Sequence, residues 1–449
     1  MDNQFRIAVI GSGPAGLYAA EELVRATDAD IHVDLIDRLP TPYGLVRYGV
    51  APDHPRIKSV TKSLQKILEH PRIRFLGNVE YGRDLTRTDL DADYHGVIFA
   101  TGASLDRRLN IPGEDLQGST SATKFVAWYS GHPDSTGDFS LDATSAVVVG
   151  AGNVALDVAR ILVKAGDALR STDIPGAVLD HLGVSRVEHV HILCRRGPQF
   201  AKFTTKELRE LRALDDVDVI VDPSALDGID ETDLDKPTLT NLRVFREFAD
   251  NRRTGARRTI EFHFSSKPVE ILGDAGNTVR AVTVERTDTP ATAGTAQTQE
   301  LSAQLVLRSV GYRGRALPDL PFEAERGIIP NIDGRIINAD GGDVSGYYVS
   351  GWCKRGPSGV IGTNRIDSAQ TVEAVLDDIR SGKLSGDVDL TGDPAWLARH
   401  GHTVIDYGGW LYIDAEELDR GSAQGRERTK ISDWETLRRI GLARAVTSV

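Results

Sequence analysis

Two stretches of this chain read alike: IAVIGSGPAGLYAAEELV at residues 7–24 and VVVGAGNVALDVARIL at residues 147–162. Each is an apolar strand, a glycine-rich turn and an apolar helix. That arrangement presents backbone N–H groups and the positive end of a helix to a pyrophosphate. In the first turn Gly11 permits the tight bend, Gly13 lets backbone approach the phosphate, and Gly16 lets helix and strand pack closely. The second reads Gly150-Ala-Gly152-Asn-Val-Ala155, with alanine in the third place. A lone GxGxxG is a weak signal, but here the flanking strand, helix and following strand all stand in place. The fold class expected is α/β, with two Rossmann-like dinucleotide-binding domains.

The two turns differ in the residues at the end of the next strand. Asp37 ends the strand IHVDLI, 21 positions after Gly16, where a carboxylate accepts bonds from ribose hydroxyls. It would repel a 2′-phosphate, so the first site is expected to take FAD or NAD. After the second turn the corresponding strand ends in Cys194-Arg195-Arg196-Gly197. Two guanidiniums there suit a phosphate on the adenosine ribose and favour NADPH over NADH. A chain with both sites reads as a flavoprotein in which NADPH reduces FAD.

At 449 residues the chain is long for one core, and 44 glycines fit strand–turn–helix repeats. A net charge of −12 argues against a basic nucleic-acid surface. Cys194 and Cys353 are the only cysteines and form no CxxC pair, so no metal or thiol redox centre is identifiable. Both read as structural. No run of 18 apolar residues occurs and the N-terminus enters a strand at once, which points to a cytoplasmic protein without a membrane span. Residues 165–186 read as a polar insertion. Residues 215–310, including RRTIEFHF and VRAVTVERT, read as antiparallel strands and hairpins, with 288–299 a surface loop.

Longer motifs carry a family resemblance: TPYGLVRYGVAPDHPRIKSV (41–60), LNIPGED (109–115), GNVALDVARIL (152–162), RRGPQFAKFTTKELREL (195–211), RSVGYRG (308–314) and GWCKRGPSGVIGTNRIDS (351–368). The chain resembles the adrenodoxin-reductase-like ferredoxin–NADP+ reductases. The resemblance implies an NADP(H) domain, residues 106–319, inserted into a discontinuous FAD domain of residues 1–105 and 320–449. It implies electron transfer between NADPH and a ferredoxin through non-covalent FAD. Ala15, Asp37, Leu45 and Val79 would line FAD, with Trp352, Gly359, Val360 and Ile361 near the flavin. NADPH would meet Arg107, Asn153, Val154, Ala155, Leu156, Arg195, Arg196, Glu207 and Gly359. The family more often has Glu where this chain has Asp37, which implies a slightly shifted bond to the ribose.

Several residues have two readings. His54, between Asp53 and Pro55, is either a proton relay near the flavin or the brace of a Pro-bounded turn. Asp157 resembles the family carboxylate that shares that role, or is an acid favoured by the helix dipole. Trp352 either stacks at the nicotinamide pocket or packs. Arg243, Arg246, Arg252, Arg253, Arg257 and Arg258 either form a cationic face for an acidic ferredoxin or protect a sheet edge. Competing functions are an NADPH diaphorase, oxidase or monooxygenase, and a nucleotide-sensing flavoprotein without turnover.

Overall fold

The computed structural model describes all residues except 1–3, 136, 138, 140, 165, 252, 253, 289–296, 385–387, 391 and 444–449. The chain divides into two compact units, one of residues 1–105 and 312–449 and the other of residues 106–311. The return to the first unit falls at Tyr312, ahead of the boundary at 320 that the family resemblance implies.

The first unit is built on an eight-stranded sheet. Its five central strands, Asp343–Val349, Gly96–Phe99, Gln4–Ile10, Asp30–Ile36 and Ile73–Gly77, run parallel in that order. Short antiparallel strands close both edges. The apolar run of the first strand is explained by burial on both faces. Ile7 and Val9 enter a core with Leu17, Ala20 and Val375. Ala8 and Ile10 enter another with Phe99, Tyr347 and Trp396. Helix Pro14–Arg25 starts with proline in its first turn, where the missing N–H costs nothing.

The second unit holds a six-stranded parallel sheet in the order Ser119–Ser121, Leu305–Arg308, Ser145–Val149, His189–Leu193, Arg258–His263, Val217–Val221. Ala146 and Val148 face helix Asn153–Val163 and its neighbours. Val147 and Val149 face an antiparallel three-stranded sheet, Ser266–Gly273, Val279–Arg286 and Thr298–Ser302. So helices cover one face and a small sheet part of the other.

Three expectations change. RRTIEFHF is an interior parallel strand. Its alternation arises because Ile260 and Phe262 are buried under helices while Glu261 and His263 lie on the half-covered face. Lys236–Asp250 is a helix, capped by the Asp235 side chain on Thr238 N–H and burying Leu242, Val244, Phe245 and Phe248. The 165–186 insertion contains helices Gly166–Leu169 and Gly176–Gly183, held by buried Leu169, Val178 and Leu182. Most of the 288–299 loop lies outside the described residues. Among the described residues no helix is long and apolar enough to cross a membrane.

Candidate functional site

The first glycine turn assigns each glycine a separate task. Gly11 has φ +113°, and a Cβ there would sit 2.4 Å from Ala100 O. A Cβ on Gly16 would meet Gly11 O at 1.8 Å. Both positions are closed to any side chain by the protein's own backbone. Gly13 is different: the nearest atom to a Cβ is Gly44 Cα at 3.9 Å. It leaves open room at the start of the helix, ahead of the Leu17 N–H to Gly13 O bond that opens the intrahelical ladder. The N–H groups of Ala15 and Gly16 precede that bond and are available to an anion.

Asp37 stands just past the next strand and is fixed by three donors. Ser12 N–H and Oγ–H reach one carboxylate oxygen at 2.7 and 2.6 Å, and Leu39 N–H reaches the other at 2.8 Å. A carboxylate offers about four acceptor positions, so one remains for a ribose hydroxyl. Ser12 thus orients the acid, a role marked only by a hydroxyl inside the glycine turn. Val79 is buried beside it, its N–H bonded to Asp37 O at 2.9 Å. These residues fit the adenosine half of a dinucleotide without a 2′-phosphate.

The 41–60 block packs over this turn. Tyr43 N–H bonds Ser12 O at 3.0 Å, with Tyr43 and Gly44 at φ 82° and 50°. Leu45 opens helix Leu45–Tyr48 and is partly exposed. Arg47 on this helix is buried against fully buried Glu417, Nη1 and Nη2 donating at 3.0 and 2.5 Å. Arg428 and the Ile431 N–H each add a bond to Glu417 at 2.9 Å. Thus an ion network clamps the block to the C-terminal helices. Neither the acid nor the base carries a local sequence signal of this pairing, because 370 residues separate them.

His54 is buried at the start of helix Pro55–Lys58, its C=O accepting from Ile57 and Lys58 N–H at 3.1 and 3.2 Å. Further along, Gly351 (φ 77°) stands just past strand Asp343–Val349, and its N–H donates to Asp367 at 2.5 Å. Ser368 Oγ–H donates to Ala15 O at 2.9 Å, tying helix Thr363–Arg380 to the first glycine turn. Trp352 is half-buried; its Nε1–H donates to Ser358 O at 3.1 Å and its ring meets Tyr312 at 5.4 Å. The Ser358–Val360 loop is exposed, with Val360 at 65%. Ile361 packs partly into the core behind it.

In the second unit Gly150 is closed by Ser309 O, 2.2 Å from a Cβ, whereas a Cβ on Gly152 meets nothing within 4 Å. Val154 is half-buried and Ala155 and Leu156 are fully buried in the adjoining helix. Asn153 Oδ1 accepts Thr204 N–H at 2.8 Å, and Thr204 Oγ–H reaches Glu207 at 2.8 Å. So Asn153 and Glu207 share one capped helix start. Arg195 and Arg196 are exposed, with their carbonyls pinned by Thr287 Oγ–H (2.7 Å) and Ser265 N–H (3.1 Å). Arg196 also lies over the Phe200 ring at 4.9 Å. Arg107 is exposed, its N–H on Gly311 O at 3.1 Å.

Asp157 is the fifth residue of helix Asn153–Val163, past the first turn, so the dipole reading does not describe it. It pairs instead with buried Arg160 at 2.9 Å. It belongs to the second unit, whereas His54 and Gly359 belong to the first. Of the arginine group, Arg246 pairs with Glu231 and Arg257 with Glu188 at 3.2 Å. Arg252 and Arg253 lie outside the described residues. Burial pushes the thiols of Cys194 and Cys353 up, so neither is poised as a thiolate.

Two glycine-turn nucleotide sites on parallel sheets define a two-nucleotide oxidoreductase, and the chain belongs to the pyridine nucleotide-disulphide oxidoreductase family, whose model matches residues 5–246. It is 43% identical to the NADPH-ferredoxin reductase FprA of Mycobacterium tuberculosis (strain ATCC 25618 / H37Rv), covering 98% of this chain and 99% of that one. It is 36% identical to the mitochondrial NADPH:adrenodoxin oxidoreductase of Arabidopsis thaliana over 96% and 94% of the two chains. The structure of Mycobacterium tuberculosis FprA in complex with NADPH superimposes with a TM-score of 0.90 at 43% identity, covering 98% of this chain and all of that one.

Proposed function

We propose that this chain is an FAD-dependent reductase that moves electrons between NADPH and a ferredoxin-type iron–sulfur protein. The carrying observation is the contrast in charge after the two glycine turns: Asp37 in one unit, Arg195 and Arg196 in the other. FAD is assigned to Gly11, Gly13, Ala15, Gly16, Asp37, Leu45, Val79, Trp352, Gly359, Val360 and Ile361. NADP(H) is assigned to Arg107, Gly150, Gly152, Asn153, Val154, Ala155, Leu156, Arg195, Arg196, Glu207 and Gly359. When bound, FAD supplies the means to take two electrons as hydride and release them one at a time.

The chain's own residues bind and orient. Helix starts at Gly13 and Gly152 hold pyrophosphate through N–H groups and the dipole. Asp37 selects a plain ribose, and the two arginines select a phosphorylated one. His54, buried at the start of helix Pro55–Lys58, is assigned the proton relay near the flavin. Asp157 acts as a positioning residue through Arg160. The relatives' names support ferredoxin as the acceptor. Docking of an acidic ferredoxin on Arg243, Arg246, Arg252, Arg253, Arg257 and Arg258 is part of the proposal. Exposed Arg243 supports it, while the acid partners of Arg246 and Arg257 reduce their share.

Anaerobic titration of the purified protein tests this reading. The flavin absorbance should bleach with stoichiometric NADPH and far more slowly with NADH, and cytochrome c reduction should require ferredoxin. Equal use of NADH overturns the nucleotide assignment. Rapid NADPH-driven oxygen consumption that ferredoxin does not alter replaces it with an oxidase or diaphorase.

A further inference from the structure

The half-covered face of the six-stranded sheet carries a convergence of ligands outside the nucleotide sites. His191 and Glu261 are direct partners across strands His189–Leu193 and Arg258–His263, and His263 lies two residues beyond Glu261 on the same face. His191 Nδ1 and His263 Nε2 are 2.9 Å apart. One Glu261 oxygen, Oε2, lies 3.7 Å from the first and 3.8 Å from the second. Those two distances are too long for hydrogen bonds. The carboxylate is aimed between two ring nitrogens and bonds to neither.

We propose that His191, Glu261 and His263 bind one divalent transition-metal cation of the zinc class. The circle through the three ligand atoms has a radius of about 2.0 Å, the length of Zn–N and Zn–O bonds. Two imidazoles and one carboxylate form a known zinc donor set, with the fourth position open to water. The site is half-buried, with side-chain exposures of 17% for His191, 34% for Glu261 and 13% for His263. Both histidines must be neutral to ligate. Burial lowers His191 to about 4 and lowers His263 as well. The ring that donates in the His–His bond moves its proton to its far nitrogen when the metal enters, so no net proton is lost. Such a cation would brace the strand end that carries Arg195 and Arg196, since Cys194 N–H already bonds His263 O at 2.9 Å.

The test uses untagged, flavin-loaded full-length protein treated with chelator and then titrated with Zn2+ by calorimetry and with Co2+ by visible absorbance. One equivalent should bind, with a Co2+ ligand-field band of four-coordinate character. Glu261→Gln and His263→Asn should each weaken binding at least about 10-fold and remove that band. Unchanged circular dichroism and an unchanged cooperative thermal transition establish that the variants are folded; Glu261→Gln, at the most exposed ligand, serves if His263→Asn does not fold. No binding by the wild type, or equal binding by folded Glu261→Gln, overturns the proposal.

Discussion

Glu417→Gln removes one charge while keeping the shape of the side chain, and the structure allows its cost to be worked out. Glu417 has no exposed surface and Arg47 is 6% exposed. Arg428 keeps a second acid, Asp414, at 2.7 Å, so the loss falls on Arg47. Its guanidinium would remain among the Tyr48 and Trp410 rings, 5.0 and 5.2 Å away, without that carboxylate. Leaving a buried charge unpaired costs about 3–5 kcal/mol. At about 2–4 °C per kcal/mol for a unit of this size, the melting temperature of the first unit should fall by about 6–20 °C. Acid behaviour provides a second readout. Burial alone would raise Glu417, but Arg47 and Arg428 hold it below the usual carboxylate range. A depressed native pKa contributes stability above the unfolded value of about 4.3, which is lost as pH falls through the folded value. The wild type should therefore lose this contribution below about pH 4, and the variant should lack that component of its pH dependence. Differential scanning calorimetry across pH tests both. A variant melting within about 2 °C of the wild type would refute the reasoning.

The same geometry has other consequences. Replacing Arg195 and Arg196 by alanine should raise the KM for NADPH by about 10- to 100-fold per guanidinium while leaving that for NADH nearly unchanged, read from initial rates. Gly13→Ala should fold normally yet lose FAD, because its methyl enters open space, whereas Gly16→Ala should not fold, its Cβ 1.8 Å from Gly11 O. Circular dichroism and flavin content separate the two. Asp157→Asn takes a partner from Arg160, which is 2% exposed, and should destabilise the second unit by about 1–3 kcal/mol in denaturant melts.

What the sequence revealed and what it hid divide along chain separation. The glycine turns, their strands and helices, and Asp37 are legible because each depends on neighbours within a few dozen residues. The helix Lys236–Asp250 also carries local signals, Asp235 as cap and Pro237 in the first turn, which the hairpin reading of that region passed over. The parallel placement of Arg258–His263 was hidden because alternation reports one covered face, not strand direction. Arg47 and Glu417, or His191 and His263, meet only through tertiary pairing, and no periodicity marks such partners.

The interrupted layout of the first unit has a consequence for synthesis. Strand Gly96–Phe99 is completed on one side by Asp343–Val349, which leaves the ribosome 250 residues later. At roughly 5–20 residues per second the nascent edge waits about 12–50 s for its neighbour. Residues 106–311 emerge whole in that interval and have their own core. The N-terminal piece, with an unpaired strand and uncovered apolar faces, is thus the segment of the growing chain most in need of a chaperone.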